Sequence, residues 1–207
     1  MMRYFCNICG RSVAAFAQSA EGKDRCPCCR SVGRHRAVAA LIMGCARSRT
    51  ELQCLEIGGN GQFFRKMVSR LTSVDLNGPG VDALSSVENL CFSSESFDIV
   101  LSLDMLEHVV HDVAAISEMS RVLRSGGMML VTASCWGEKG PTKTPEEAGC
   151  APFHIGMSGK WDCRCYRYYT EDSLCDMLHS AGLRCRVAKV SDGLLGILEI
   201  NVIVCTK

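Results

Sequence analysis

With 207 residues, 47% of them hydrophobic, the chain can bury one sizeable core plus a small appendage. It has no apolar run of about eighteen residues, and Met1 to Gly10 lacks the apolar centre of a leader, so we expect a soluble, cytoplasmic protein with no membrane partner. The formal net charge of +1 hides an asymmetry: residues 1–50 hold nine Lys+Arg against two Asp+Glu, and the rest fourteen against twenty, which gives +7 and −6.

Cys6-Asn7-Ile8-Cys9 is followed, after a sixteen-residue gap, by Cys26-Pro27-Cys28-Cys29. Each Cys-x-x-Cys pair presents two thiolates to one tetrahedral ion, and the gap is long enough for a hairpin that brings the pairs together. Cys6, Cys9, Cys26 and Cys29 are the expected ligands. Cys28 competes with Cys29 for the fourth place, and the two-residue spacing favours Cys29. Zinc fits best, with a four-cysteine iron-sulfur cluster as the alternative. The chain has fifteen cysteines, and the others, such as Cys54 and Cys205, fall in apolar runs where a reduced thiol packs as a small hydrophobe.

Residues 1–30 thus read as a small zinc-ribbon-like cysteine module. Residues 31–50 read as a linking helix, with Arg34-His35-Arg36 at its start, and residues 51–207 as the main domain. Arg34 and Arg36 could steer an anionic substrate; the favoured reading is that they pair with acids of the main domain and dock the cysteine module on it.

A short apolar strand then runs into Glu56-Ile57-Gly58-Gly59-Asn60-Gly61, and Asp75 closes the next strand. Glycines directly after a strand let the backbone come close to a ligand, and an acid at the next strand end can accept both ribose hydroxyls. The dinucleotide fingerprint fails, because Asn60 and Phe63 take two of its three glycine positions. Between Asp75 and Asp82 there is no room for a helix. Ser96 to Leu103 reads as a buried strand, residues 104–123 as a helical stretch, Arg124-Ser125-Gly126-Gly127 as its stop, and Met128 to Thr132 as the following strand. Asp98, at the start of a buried strand, is a structural acid. Residues 134–167 form a long Gly- and Pro-bearing loop with no periodicity, as a site cover often does. The last residues read as a helix to Gly182 and two apolar strands.

From Leu52 to Thr132 this succession of strand, glycine turn, Asp75, Asp82-Ala83, Ser96-Phe97-Asp98, Leu106-Glu107-His108 and Arg121-Val122-Leu123 resembles the class I S-adenosylmethionine-dependent methyltransferases. The N-terminal stretch with Cys26-Pro27-Cys28-Cys29, Ser31 and Arg34-His35-Arg36 is similar to that of bacterial methyltransferases of poorly defined substrate. The resemblance implies an α/β, Rossmann-like, doubly wound seven-stranded sheet with its last strand antiparallel. It implies that Glu56, Gly58, Gly59 and Gly61 border the methionine part of the cofactor. Asp75 with Leu76 would hold the ribose, Asp82 with Ala83 the adenine, and Leu103 with Asp104 would lie beside the sulfur. Asn60 and Gln62 depart from the family glycines, and Asn tolerates the backbone a glycine would adopt.

Methyl transfer is an in-line displacement that positioning can carry, so a general base is optional; His108 and then His154 are the candidates. The expected activity is methyl transfer to a small-molecule or glycan-like acceptor. RNA as the acceptor is the alternative, and a cofactor-binding scaffold with a zinc interaction module is the third reading.

Overall fold

The computed structural model describes residues 3–18, 24–46, 51–59, 61–133, 135–137, 139–150, 153–155 and 162–207. Its centre is a seven-stranded sheet made of β1 (Gln53–Ile57), β2 (Arg70–Asp75), β3 (Ala83–Leu84), β4 (Phe97–Leu103), β5 (Leu123–Thr132), β6 (Arg184–Asp192) and β7 (Ile197–Thr206). The strands lie in the order β3-β2-β1-β4-β5-β7-β6; the first five are mutually parallel, and β7 runs antiparallel to both β5 and β6. This is the doubly wound sheet with an antiparallel last strand that the sequence resemblance implies.

The central strands are apolar on both faces because helices cover both. Val100, Met129, Val131 and Ile203 point to the side covered by α2 (Asp112–Val122) and α3 (Glu171–Ser180). Their neighbours Ile99, Leu101, Leu130 and Val204 point to the side covered by α1 (Gly33–Ala46) and the cysteine module. On α2 the buried set Ala115, Ile116, Met119 and Val122 makes one helical stripe, each large member contributing roughly 1.5–3 kcal/mol. Helix α3 starts at Thr170, whose hydroxyl accepts from the Ser173 amide while the Ser173 hydroxyl accepts from the Thr170 amide. No helix among the described residues is long and apolar enough to cross a membrane.

Two local outcomes differ from the sequence reading. Helix α2 ends at Val122 and β5 begins at once at Leu123, so residues 124–127 are no stop; they bulge out between the pairs Phe97↔Leu123 and Ile99↔Met128. Asp98 holds this bulge, accepting from Arg124 at 2.8 Å and from the Gln53 amide at 3.0 Å, which is the structural role expected of it. Cys205 is not a lone thiol but is disulfide-bonded to Cys185, its cross-strand partner in β6. As the short span between Asp75 and Asp82 implied, the chain passes from β2 to β3 with no helix, and after β1 it makes only turns over residues 62–67, so this end of the sheet carries little cover of its own.

The cysteine module folds as two hairpins, Tyr4–Cys6 with Arg11–Val13 and Ala17–Gln18 with Asp24–Arg25. Its Cys6, Ile8, Val13 and Cys26 join the same apolar layer as α1 and the sheet.

Candidate active site and metal cluster

In an open parallel sheet, ligands bind beyond the carboxyl ends of the strands where the strand order reverses. Here that point lies at β1, with β2 on one side and β4 on the other. A cavity of about 420 Å³ opens there between the glycine turn, Asp75, the 78–81 loop and Leu103.

The glycines of the turn are needed for geometry. Gly58 and Gly61 have φ of +74° and +75°, and a Cβ on Gly59 would stand 2.6 Å from the Glu56 carboxyl carbon. The turn therefore folds down onto Glu56. That acid is 6% exposed, and burial pushes its pKa upward against the opposing pull of the Gly61 amide and Arg65. Its Oε2 is buried and has no partner among the described residues. An orphaned carboxylate oxygen on a cavity wall suits a ligand that brings a donor or a positive charge.

Asp75 Oδ1 accepts from the Asn77 and Gly78 amides at 3.0 and 2.8 Å, which fixes the carboxylate at the cavity edge. Gly78 allows that approach, since a Cβ there would be 2.9 Å from the Asp75 carboxyl carbon. Leu76 is 69% exposed and Ala83 pairs with Val74 inside the sheet; neither reaches the cavity. Asp82 is set deeper along the sheet than the strand ends. Its Oδ2 takes the Arg65 guanidinium at 2.7 Å and the amide and hydroxyl of Ser73, and the Arg65 and Ser73 bonds hold its pKa low. Asn60 lies outside the described residues.

Leu103 lines the glycine-turn cavity, and Asp104 follows it in a left-handed conformation with φ +50°. The two Asp104 oxygens are clamped, one by the Thr132 hydroxyl at 2.7 Å and the other by Arg34 at 2.7 Å. His108 ends a single 3₁₀ turn, and its Nδ1 donates to the Arg164 carbonyl at 2.8 Å, away from the cavity walls. His154 sits in a short strand, Phe153–Ile155, paired with Asp162–Arg164; its side chain lies outside the described residues.

The four cysteines converge. The Sγ atoms of Cys6, Cys9, Cys26 and Cys29 all lie within 4.8 Å of one another, and Cys28 is exposed outside the group. Tetrahedral zinc with bonds of about 2.3 Å separates its sulfurs by roughly 3.8 Å. The Cys6–Cys29 and Cys9–Cys26 distances are 3.6 and 3.9 Å. The two knuckles use the same turn, with Gly10 and Arg30 at φ +70° and +66° and their amides bonded to the Cys6 and Cys26 carbonyls. Burial pushes the Cys9 thiol up to about 12, while at Cys6 burial is outweighed by hydrogen bonds from Ser31 and the local backbone, which bring it down to about 7. The residues present fit a structural metal.

Arg34 docks on Asp104 as expected, but Arg36 pairs with no acid among the described residues. Fully buried, its guanidinium donates to the carbonyls of Leu195, Ser31 and Gly196 at 2.7, 2.8 and 3.0 Å and to that of Asp24, and it lies 3.8 Å over the Phe16 ring. Sequence reasoning missed that Arg34 and His35 also line the glycine-turn cavity, with His35 stacked 4.1 Å from Phe63. The only signal was their place shortly after the fourth cysteine.

Residues 55–131 match the sequence family described as a methyltransferase domain. The YcgJ protein from Bacillus subtilis superposes with a TM-score of 0.59 at 17% identity, over 82% of this chain and 97% of that one. The chain has the class I S-adenosylmethionine-dependent methyltransferase fold. A Burkholderia thailandensis 1,6-didemethyltoxoflavin-N1-methyltransferase, solved with S-adenosylhomocysteine, shares the same fold with a TM-score of 0.58 at 20% identity, over 84% of this chain and 79% of that one. In sequence, a ubiquinone/menaquinone biosynthesis C-methyltransferase of Bordetella parapertussis is 32% identical over 123 residues. That alignment takes in 49% of this chain and 48% of the relative, so the chain spans about half the length of the curated protein it matches.

Proposed function

We propose that this protein binds S-adenosylmethionine at the glycine-turn cavity and transfers its methyl group to a small-molecule acceptor. The observation that carries the reading is Glu56, which lines the same cavity as Asp75 and whose buried Oε2 has no partner among the described residues. Glu56 would receive the ammonium of the methionine end, Asp75 the ribose hydroxyls, and the 78–81 loop would back the base. When bound, the cofactor supplies an electrophilic methyl group. The chain's residues then have to hold that group in line with a nucleophile and keep water away. Neither histidine candidate is needed for that, and we assign no general base.

Similarity to a ubiquinone/menaquinone biosynthesis C-methyltransferase favours a small organic acceptor over RNA. So does the use of the N-terminal cations: Arg36 is buried and Arg34 is tied to Asp104, which leaves neither for a phosphate backbone. We further propose that the cysteine cluster holds zinc in a structural role, and that the protein works in the cytoplasm, which fits a chain whose cysteines are mostly free thiols although Cys185 and Cys205 are bonded. The test is calorimetric titration with S-adenosylhomocysteine of wild type and of Glu56→Gln and Asp75→Ala. Unchanged affinity in both variants would sink the site assignment.

A further inference from the structure

A second cavity, of about 470 Å³, lies on the far side of the Arg34–Asp104 ion pair. Arg34 is common to the walls of both cavities. Two strands meet at this second one: Thr132 ends β5, and because β7 runs antiparallel its opening residues, Leu198 to Asn201, come to the same edge of the sheet. The remaining wall comes from the cysteine module and the start of α1, through Asp24 and Val32 to Arg34. Its size is that of a small-ligand site.

The polar wall is rich in acceptors. Among the described residues, Asp104, Glu171, Glu199 and Asp24 line it with a single cation, Arg34, which pairs with Asp104, while Asp24 has a partner of its own. The Asn201 side-chain amide donates to Glu171, and its own Oδ1 is buried with no partner among the described residues. Between these groups the wall is apolar, with Val32, Val131 and Ile203. A ligand that completes this surface brings N–H or O–H donors on an apolar body and no negative charge.

Building on the cofactor reading above, we infer that this cavity receives the methyl acceptor, and that the cysteine module builds part of its wall and so sets acceptor selectivity. The acceptor class is a small amine or alcohol with an apolar body. Carboxylates and phosphates are repelled by the surplus of acids.

The test uses three molecules of one shape, benzylamine, benzyl alcohol and benzoate, titrated into the metal-loaded protein with and without S-adenosylhomocysteine while backbone amide shifts are followed by NMR. We expect the amine and the alcohol to shift Gly33, Thr132 and Gly196, with benzoate at least about tenfold weaker. Asp24→Asn in the cysteine module and Glu199→Gln on β7 each remove one charge from the wall; both should weaken benzylamine severalfold and leave benzyl alcohol unchanged. Benzoate binding as well as benzylamine, or an amine preference that Asp24→Asn leaves intact, would overturn the proposal. If S-adenosylhomocysteine binds but no probe moves these amides, the acceptor assignment fails and the cofactor reading stands. If probes bind there and S-adenosylhomocysteine does not, the acceptor role falls with the cofactor reading.

Discussion

Arg36 beside the cysteine cluster and Glu56 at the glycine turn are both buried charges, and the fold treats them in opposite ways. Arg36 is surrounded by four backbone carbonyls and an aromatic face, whereas Glu56 keeps one buried oxygen without a partner among the described residues. The first is a structural cation whose bonds the fold itself completes, with Cys6, Cys26 and the Asp24 carboxylate as neighbouring charges. The second is a group whose partner, in the proposed reading, is the cofactor's ammonium. The two regions are also joined: with only turns after β1, the cofactor end borrows its cover from the N-terminal region through Arg34 and His35.

The largest break in this comparison should come from the metal cluster. Cys9→Ser should abolish stoichiometric metal and lower stability by several kcal/mol, on the order of 10 °C in thermal midpoint, because binding a metal at such a cluster is part of folding. Elemental analysis and thermal unfolding check this together; full metal content in the variant would place the ligands elsewhere. Next is the docking contact itself. Gly196 has φ +60°, and a Cβ there would fall 2.2 Å from the Phe16 ring. Gly196→Val should therefore cost about 2 kcal/mol and raise amide exchange at Phe5, whose amide bonds the Leu194 carbonyl. Exchange at wild-type rates would show that the cysteine module does not depend on this turn.

At the other region the effects are on binding. Asp75→Ala should weaken S-adenosylhomocysteine by about 1–3 kcal/mol, part of it from the freed 77–78 turn. Glu56 gives the smallest and most specific effect. Its folded pKa is raised, so the protonated form suits the free protein: stability should be greatest below the ordinary carboxylate value and fall as pH rises through the raised one. A bound ammonium favours the carboxylate, so cofactor affinity should move the other way, weakening as pH falls through the same window. In Glu56→Gln both slopes should disappear; if they persist, another group carries them.

Much of the sheet and the cysteine cluster could be read in the sequence because their signals are local. Apolar runs such as Ile99–Leu101 and Met129–Val131 are bounded by turn residues, and a knuckle is set by two cysteines three residues apart. The helix missing after β2 was legible from chain length alone. What escaped depends on distant juxtaposition. That Arg34 would meet an acid was expected, but nothing near it singles out Asp104, and nothing near Asp82 announces that the strand register will set it beside Ser73 and within reach of Arg65. The bulge at 124–127 escaped for a similar reason, since two glycines after a helix look like a stop until the Asp98–Arg124 pair holds them in the strand.

The most direct test of the cofactor site is calorimetric titration of the metal-loaded protein with S-adenosylmethionine and S-adenosylhomocysteine, with NAD as the control. Saturable binding of the first two and none of NAD is the expected result. No binding of either, or binding of NAD in their place, would contradict the assignment of Glu56 and Asp75 to the methyl donor.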